Sequence, residues 1–332
     1  MPSCMIKVLV VLFSVTWLLC ACSRTEEPNR PLRIGINAWP GYAYAYIAQE
    51  KGYFQANQVN VELIFRKDTH ASNQLFKDGE VDGTFCVFAD AIMFHSEGIP
   101  NRVVYITDYS DAGDVIIGRP AFRSLADLRG TIVSFEDLNT FSHLFVLKSL
   151  QAAGLDETDA RFANVPATEV LEALEAGRID AGHTWQPVTA EALRRGYRVL
   201  GKAGDLPGLI TDVLTFHEHV VREGGEALAG VVQALVEARA FLRNHEAEAI
   251  AIMAHHMEMT PAHMRQGVGE IHLLDRTENL AAMQRRDDYS SLYFTGRVIA
   301  EFFMHRGQLL KMPDLDQIIE PRFLQSITKG RR

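Results

Sequence analysis

From residue 31 onward, short apolar runs with period-two alternation keep giving way to helical stretches, and no other feature of this 332-residue chain narrows its fold so far. Residues 32–37 have the strand period, 44–51 read as helix, and 59–65 as strand again. A helix over 70–78, closed by Gly79, precedes a strand at 83–87, a helix over 90–97 and a strand at 103–107. The pattern restarts with strands at 115–118 and 131–135, then a helix from 140 to 153 stopped by Gly154. Strands follow at 162–165, 180–185, 197–200 and 213–216, with a helix over 168–176 between the first two. Beyond Glu218 the signal is helical: 227–244, 246–257, 261–270 and 289–305.

Alternating βα units predict an α/β fold with parallel sheets. The restart predicts two lobes, with the strands near 104–107 and 213–216 as the crossings between them. Residues 32–108 and 213–332 form one lobe, completed by the helical tail, and 109–212 form the other. Ligands of such folds bind beyond the carboxyl ends of strands, which directs attention to the loops after Asn37, Phe65, Val87, Thr107, Phe135 and His183.

The N-terminus adds a second constraint. Lys7 precedes an apolar run over 8–19, too short for a spanning helix and the right length for a signal segment. Leu19-Cys20-Ala21-Cys22 then resembles a lipobox, in which cleavage before the cysteine leaves a lipidated N-terminus. Residues 1–21 are therefore expected to be a lipoprotein signal peptide, Cys22 the lipidation site, and 22–31 a polar, proline-bearing tether. The other reading keeps the run as an uncleaved anchor. Under the lipoprotein reading Cys4 and Cys20 leave with the signal, and Cys86 alone remains in the fold, so no disulfide is available. A net charge of −9 argues against nucleic acid or an anionic membrane surface as partner.

Several loops carry a family resemblance. Gly35 to Tyr42 (GINAWPGY) and Ile47 to Phe54 (IAQEKGYF) resemble the opening of solute-binding proteins of the nitrate/sulfonate/taurine ABC importers, the NMT1/THI5-like family. Asp78 to Gly83 (DGEVDG), Asp108-Tyr109-Ser110, Leu125 to Gly130 (LADLRG), Glu175 to Ala181 (EAGRIDA) and Thr184 to Pro187 (TWQP) resemble its later landmarks, in order. The resemblance implies a type II periplasmic-binding-protein fold: two α/β lobes around a cleft, with a helical C-terminal tail. It also implies capture of a small solute by lobe closure, for a membrane permease and a separate ATPase. The chain has no Walker A loop of its own, and neither a G-x-S-x-G elbow nor a G-x-G-x-x-G fingerprint is present.

Trp39 and Tyr42 flank Pro40-Gly41 at a strand-to-helix turn, and Trp185 holds the corresponding place in the second lobe. Because they sit in loops rather than on a periodic face, they are assigned to ligand contact, with core packing as the other reading. Phe88, Asp108 and Thr140, at the loops named above, join the expected set. Glu136 and Asp137 place two carboxylates ahead of the 140–153 helix, where many members of the family carry small residues suited to anions. An amine or amidine would find a partner in Glu136; alternatively the two acids only complement the helix dipole, and both readings stay open. Asp90 could face the cleft similarly.

The expected solute is a small nitrogenous or zwitterionic organic molecule, sulfonate types included, rather than nitrate or sulfate. No cofactor and no metal are expected. The run Met253 to Met259 (MAHHMEM) looks chelating, but adjacent histidines on a helix point about 100° apart. His217-Glu218-His219 lacks the HExxH spacing. The chain is read as a monomer on the extracytoplasmic side of the cell envelope, and not as an enzyme. A lipid-anchored sensor feeding a signalling partner is the alternative. Binding or synthesis of a thiamine-pyrimidine precursor is a further one, although the synthases of that fold use a cysteine-rich segment where this chain offers only Cys86.

Overall fold

The computed structural model describes residues 30–327. The chain divides into two units, residues 1–30 and 31–332, and the architecture below is that of the second. The expected signal peptide and Cys22 lie outside the described residues.

The second unit opens with β1 (Leu32–Ile36), α1 (Tyr44–Glu50), α2 (Tyr53–Ala56) and β2 (Val61–Phe65). Next come α3 (Thr69–Lys77), β3 (Gly83–Val87), α4 (Phe88–Ser96) and β4 (Asn101–Ser110). A second run holds β5 (Val115–Gly118), β6 (Ile132–Phe135), α5 (Phe141–Ala152), β7 (Arg161–Asn164) and α6 (Val170–Glu175). It closes with β8 (Ala181–Thr184), α7 (Val188–Arg194) and β9 (Arg198–Lys202). β10 (Thr211–His217) leads into α8 (Glu218–Glu223), α9 (Gly225–Asn244), α10 (Glu246–His256) and α11 (Pro261–Gly269). The tail is β11 (Ile271–Leu273), α12 (Arg276–Ala282), α13 (Leu292–His305) and α14 (Arg322–Ser326).

Two sheets result, a six-stranded one in the order β11-β4-β10-β3-β1-β2 and a five-stranded one in the order β7-β6-β8-β5-β9. β1 runs parallel to β2 and β3, and β6 runs parallel to β7 and β8, as βα units require. The remaining pairings are antiparallel, so both sheets are mixed where purely parallel ones were expected. The cause is the route of the chain. It leaves the first sheet at the end of β4 and re-enters beside that same end, with Thr211 paired to Tyr109, so β10 must run back against β4. The two connecting segments are bonded to each other, Ala203 N to Asp114 O at 2.9 Å and Gly204 N to Asp111 O at 2.6 Å.

β3 and β10 are buried along almost their whole length, which explains why both read as continuous apolar runs rather than alternating ones. Both β4 and β10 extend beyond the stretches read from sequence, because Asp108, Thr211 and Asp212 break the apolar run without breaking the ladder. β11 and the short helices α2, α7, α8, α12 and α14 carry too few residues for a periodic signal.

The tail completes the first sheet from its edge. β11 covers only Asp108 to Ser110 of β4. Further along, the buried Asn279 of α12 takes over as a surrogate strand: its Oδ1 accepts from Ile106 N at 2.7 Å, and its Nδ2 donates to Ile106 O at 2.8 Å. Val103 N donates to Ile318 O at 2.7 Å and Glu320 N to Val103 O at 2.9 Å, so the C-terminal segment also bonds along this edge. Replacing Asn279 with Leu leaves both main-chain groups of Ile106 buried and unmatched. Urea unfolding should show a loss of about 2–4 kcal/mol.

Candidate functional site

The loop after β1 is shaped by a side chain. Asn37 Oδ1 accepts from Trp39 N at 3.0 Å, turning the chain so that the Trp39 ring faces the second sheet's residues. The indole Nε1 donates to Asp108 Oδ1 and Oδ2 at 3.1 and 3.3 Å, and Thr107 Oγ1 donates to Asp108 Oδ2 at 2.8 Å. Gly41 is required by this cluster, since a Cβ there would lie 1.9 Å from Asp108 Oδ2 and 2.6 Å from Trp39 Nε1. Gly113, between β4 and β5, leaves room for the far edge of the same ring in the same way. Tyr42, stacked on Phe85, donates its hydroxyl to Asp212 Oδ1. From the other side Trp185, just past β8, meets Trp39 edge-on with ring centroids 6.2 Å apart. Phe141 lies against Trp185, at 6.5 Å.

Asp108 and Asp212 are directly paired on β4 and β10, and both are essentially inaccessible to water. Burial pushes the Asp108 carboxyl up to about 7. It pushes Asp212 well above the usual carboxylate range, with the negative charges of Asp108 and Asp114 adding to the effect. Burial and like charge together disfavour ionising both carboxyls of this pair. Burial, and then the charge of Asp212, hold the Tyr42 phenol well above its ordinary value, so it stays a neutral donor. Asp114, also buried, lies 2.8 Å from His183 Nε2. Asp212 Oδ2 has no hydrogen-bond partner.

These groups surround a cavity of about 10 Å³, lined by Asn37, Trp39, Tyr42, Asp114, Trp185 and Asp212 among others. That is room for roughly one water molecule.

A second, outer cavity of about 100 Å³ lies between α3, α4 and residues 136–140, and Thr69 lines both. Asp90 joins the two halves of the site: its Oδ1 accepts from Phe141 N and its Oδ2 from Asn73 Nδ2, each at 3.0 Å. Burial raises Asp90 to about 6 despite those bonds. Glu136 is raised well above the ordinary range, by burial first and by the charge of Asp90 second. Three main-chain amides before α5 are already taken. Glu136 N donates to Ser142 Oγ at 3.0 Å, Leu138 N to Asp137 Oδ1 at 2.8 Å and Asn139 N to His143 Nδ1 at 3.2 Å.

The residues predicted from sequence therefore fall into separate places. Trp39, Tyr42 and Trp185 line the inner cavity; Glu136 and Thr140 line the outer one; Asp108 sits behind Trp39 and holds it. Phe88 is a correction. As the first residue of α4 it turns into the core, with its ring edge against Gly296 of α13, and Val87 lines the cavity in its place. Sequence reasoning missed Asp212, Asp114, Asn73 and Phe141. Asp212 had a signal, a carboxylate opening an otherwise apolar strand. In the 253–259 run His256 stacks on Tyr46 and lies 2.9 Å from Glu50, and no cluster of metal-ligating side chains occurs among the described residues.

Residues 39–249 match the family model described as NMT1/THI5 like. The chain is 30% identical over 133 residues to the "Putative aliphatic sulfonates-binding protein" of Escherichia coli (strain K12), a match spanning 40% of this chain and 41% of that relative. It is 23% identical over 294 residues to the formylaminopyrimidine-binding protein of Halalkalibacterium halodurans, spanning 82% and 86%. Among solved structures, the alkanesulfonate-binding protein SsuA from Xanthomonas axonopodis pv. citri superposes with a TM-score of 0.73 at 16% identity, over 88% of this chain and 98% of that one. The same fold serves an enzyme, the desulfurization enzyme DSZB, with a TM-score of 0.65 at 18% identity over 89% and 98%.

Two outcomes follow from this geometry. Gly41→Ala drives a methyl group into the Asp108–Trp39 contact and should cost about 1–3 kcal/mol in denaturant unfolding. The raised carboxyls bind more protons folded than unfolded between about pH 4 and 7, so their contribution to stability falls as pH rises through that window. Asp212→Asn should flatten this slope in melting curves from pH 4.5 to 8 and raise the melting temperature at pH 8.

Proposed function

The chain belongs to the NMT1/THI5-like family, and from that premise we propose that it is the extracytoplasmic solute-binding component of an ABC importer. Residues 32–108 with 213–332 act as one lobe and 109–212 as the other, closing on the solute about the adjacent ends of β4 and β10. Lipid on Cys22 holds the monomer at the membrane surface, beside a permease whose ATPase is a separate chain. No helix among the described residues is long and apolar enough to cross a membrane. The protein binds and releases its solute without catalysis.

Lobe motion is supported by the size of the inner cavity. A solute of several heavy atoms does not fit about 10 Å³, so Trp39 and Trp185 must part to admit one. The contacts that would open include Trp39 with Trp185, Asp90 with Phe141 N, Gln186 Nε2 with Glu270 at 3.0 Å, His70 with Asp137 at 3.4 Å, and Arg306 with Glu157.

The solute is a small nitrogenous organic molecule. The observation that carries this reading is the character of the inner wall: two indole rings, the buried and unpartnered Oδ2 of Asp212, and no lysine or arginine lining the cavity. A flat, N–H-bearing solute satisfies such a wall, whereas a sulfonate brings only acceptors and negative charge. The relative named as a formylaminopyrimidine-binding protein is in keeping with this. A sulfonate-type solute is the second reading, favoured by the 30% match to the relative named for aliphatic sulfonates.

Titration calorimetry with aminopyrimidines, alkylamines and alkanesulfonates separates the two. Nitrogenous solutes should bind; at a hundred times its dissociation constant a ligand adds about 2.7 kcal/mol to folding stability. Trp185→Ala should weaken that binding by roughly 10- to 100-fold. Binding of alkanesulfonates alone would overturn the solute class, and silence from every compound would count against the importer reading.

A further inference from the structure

The outer cavity collects acceptors that nothing in the chain satisfies. Asn73 is 7% exposed; it donates Nδ2 to Asp90 Oδ2 at 3.0 Å and leaves Oδ1 without a partner. The bond to Asp90 sets the amide's orientation, because a flipped Asn73 would press its oxygen against a carboxylate. Glu136 Oε2 and Asn139 Oδ1 are also buried and unpartnered. All three residues line the same space of about 100 Å³, which is large enough for an alkylammonium group. Buried acceptors normally find a partner, whether protein, water or ligand.

The charges at this cavity are unbalanced in one direction. From α3, Lys77 Nζ lies 2.8 Å from Glu97 and His70 Nδ1 lies 3.4 Å from Asp137 Oδ2. With those pairs matched, the carboxyls of Asp90 from the α4 side and Glu136 from the 136–140 loop remain. At the start of α5 the amide of Phe141 is bound to Asp90, and in the loop before it Asn139 N is bound to His143.

We propose that this outer compartment is a cation subsite that takes the protonated amine of the solute. An ammonium carries three N–H donors and no acceptor, which matches three unpartnered oxygens, and on entering it favours the ionised forms of Asp90 and Glu136 that burial otherwise disfavours. Thr69 lines both cavities, so an amine held here points the body of the solute towards Trp39 and Trp185. The inference rests on the solute-binding reading and narrows it to amine-bearing solutes.

The test uses the purified full-length protein and methylammonium chloride, compared with sodium chloride at equal ionic strength. Methylammonium at tens of millimolar should raise the melting temperature by about 2–4 °C over sodium. Glu136→Gln should weaken this response at least tenfold while raising the melting temperature of the ligand-free protein, because the new amide supplies a donor to the unpartnered oxygens. Asn139→Gly removes one acceptor at a position with φ 63°, where glycine is favoured, and should weaken methylammonium several-fold with the fold intact. An equal response to the two salts, or an unchanged response in both variants, overturns the subsite. Saturating methylammonium should raise the dissociation constant of an amine-bearing solute at least tenfold and leave that of its neutral isostere unchanged. Lack of competition overturns the assignment to the solute's own amine. Failure of the solute-binding reading is seen separately, as a silent panel with the unmodified protein, and the methylammonium arm still decides the subsite.

Discussion

Two carboxyl groups, Asp108 and Asp212, are paired on adjacent strands with water excluded, a setting that disfavours ionising both. Around this pair the rest of the site is arranged. Asp108 accepts from the Trp39 indole and from Thr107, while Asp212 accepts from the Tyr42 phenol. The aromatic wall is thereby held by the same strands, β4 and β10, at whose ends the chain passes between the two sheets. A change in spacing between those strands is felt at once by Trp39 and Tyr42. Gly41 and Gly113 lie in the same cluster because nothing larger fits beside the carboxylate and the ring it holds.

The site's chemistry follows from which donors and acceptors are already used. A helix N-terminus normally offers free N–H groups to an anion. Here Asp90 occupies the first amide of α5, and Ser142, Asp137 and His143 occupy amides of the preceding loop. Among the buried side-chain atoms left without partners are oxygens of Asp212, Glu136, Asn73 and Asn139. The fold positions these loops and does not dictate their donors and acceptors.

Much of the architecture was legible because it rests on periodicity. The strand–helix alternation from 32 to 107 and its restart at 115 correspond to the two observed sheets, and Gly79 and Gly154 end helices where a left-handed residue is required. Trp39, Tyr42 and Trp185 were recognisable as ring-bearing residues in loops. Phe88 was misplaced because sequence position cannot tell the last strand residue, Val87, from the first helix residue, and a half-turn sends the latter into the core. Asp212 escaped notice because an acid inside an apolar strand is read as an edge until its partner strand is known.

By itself the sequence determined the fold class, the restart that makes two sheets, the aromatic loops, and the carboxylates ahead of α5, since each depends on spacing along the chain. Tertiary structure alone decided that β10 runs antiparallel between β3 and β4, that Asp108 meets Asp212, and that Asp90 binds the amide of Phe141. These are pairings between residues tens to over a hundred positions apart, and the raised carboxyls and the unpartnered acceptors exist only once burial has removed the water between them.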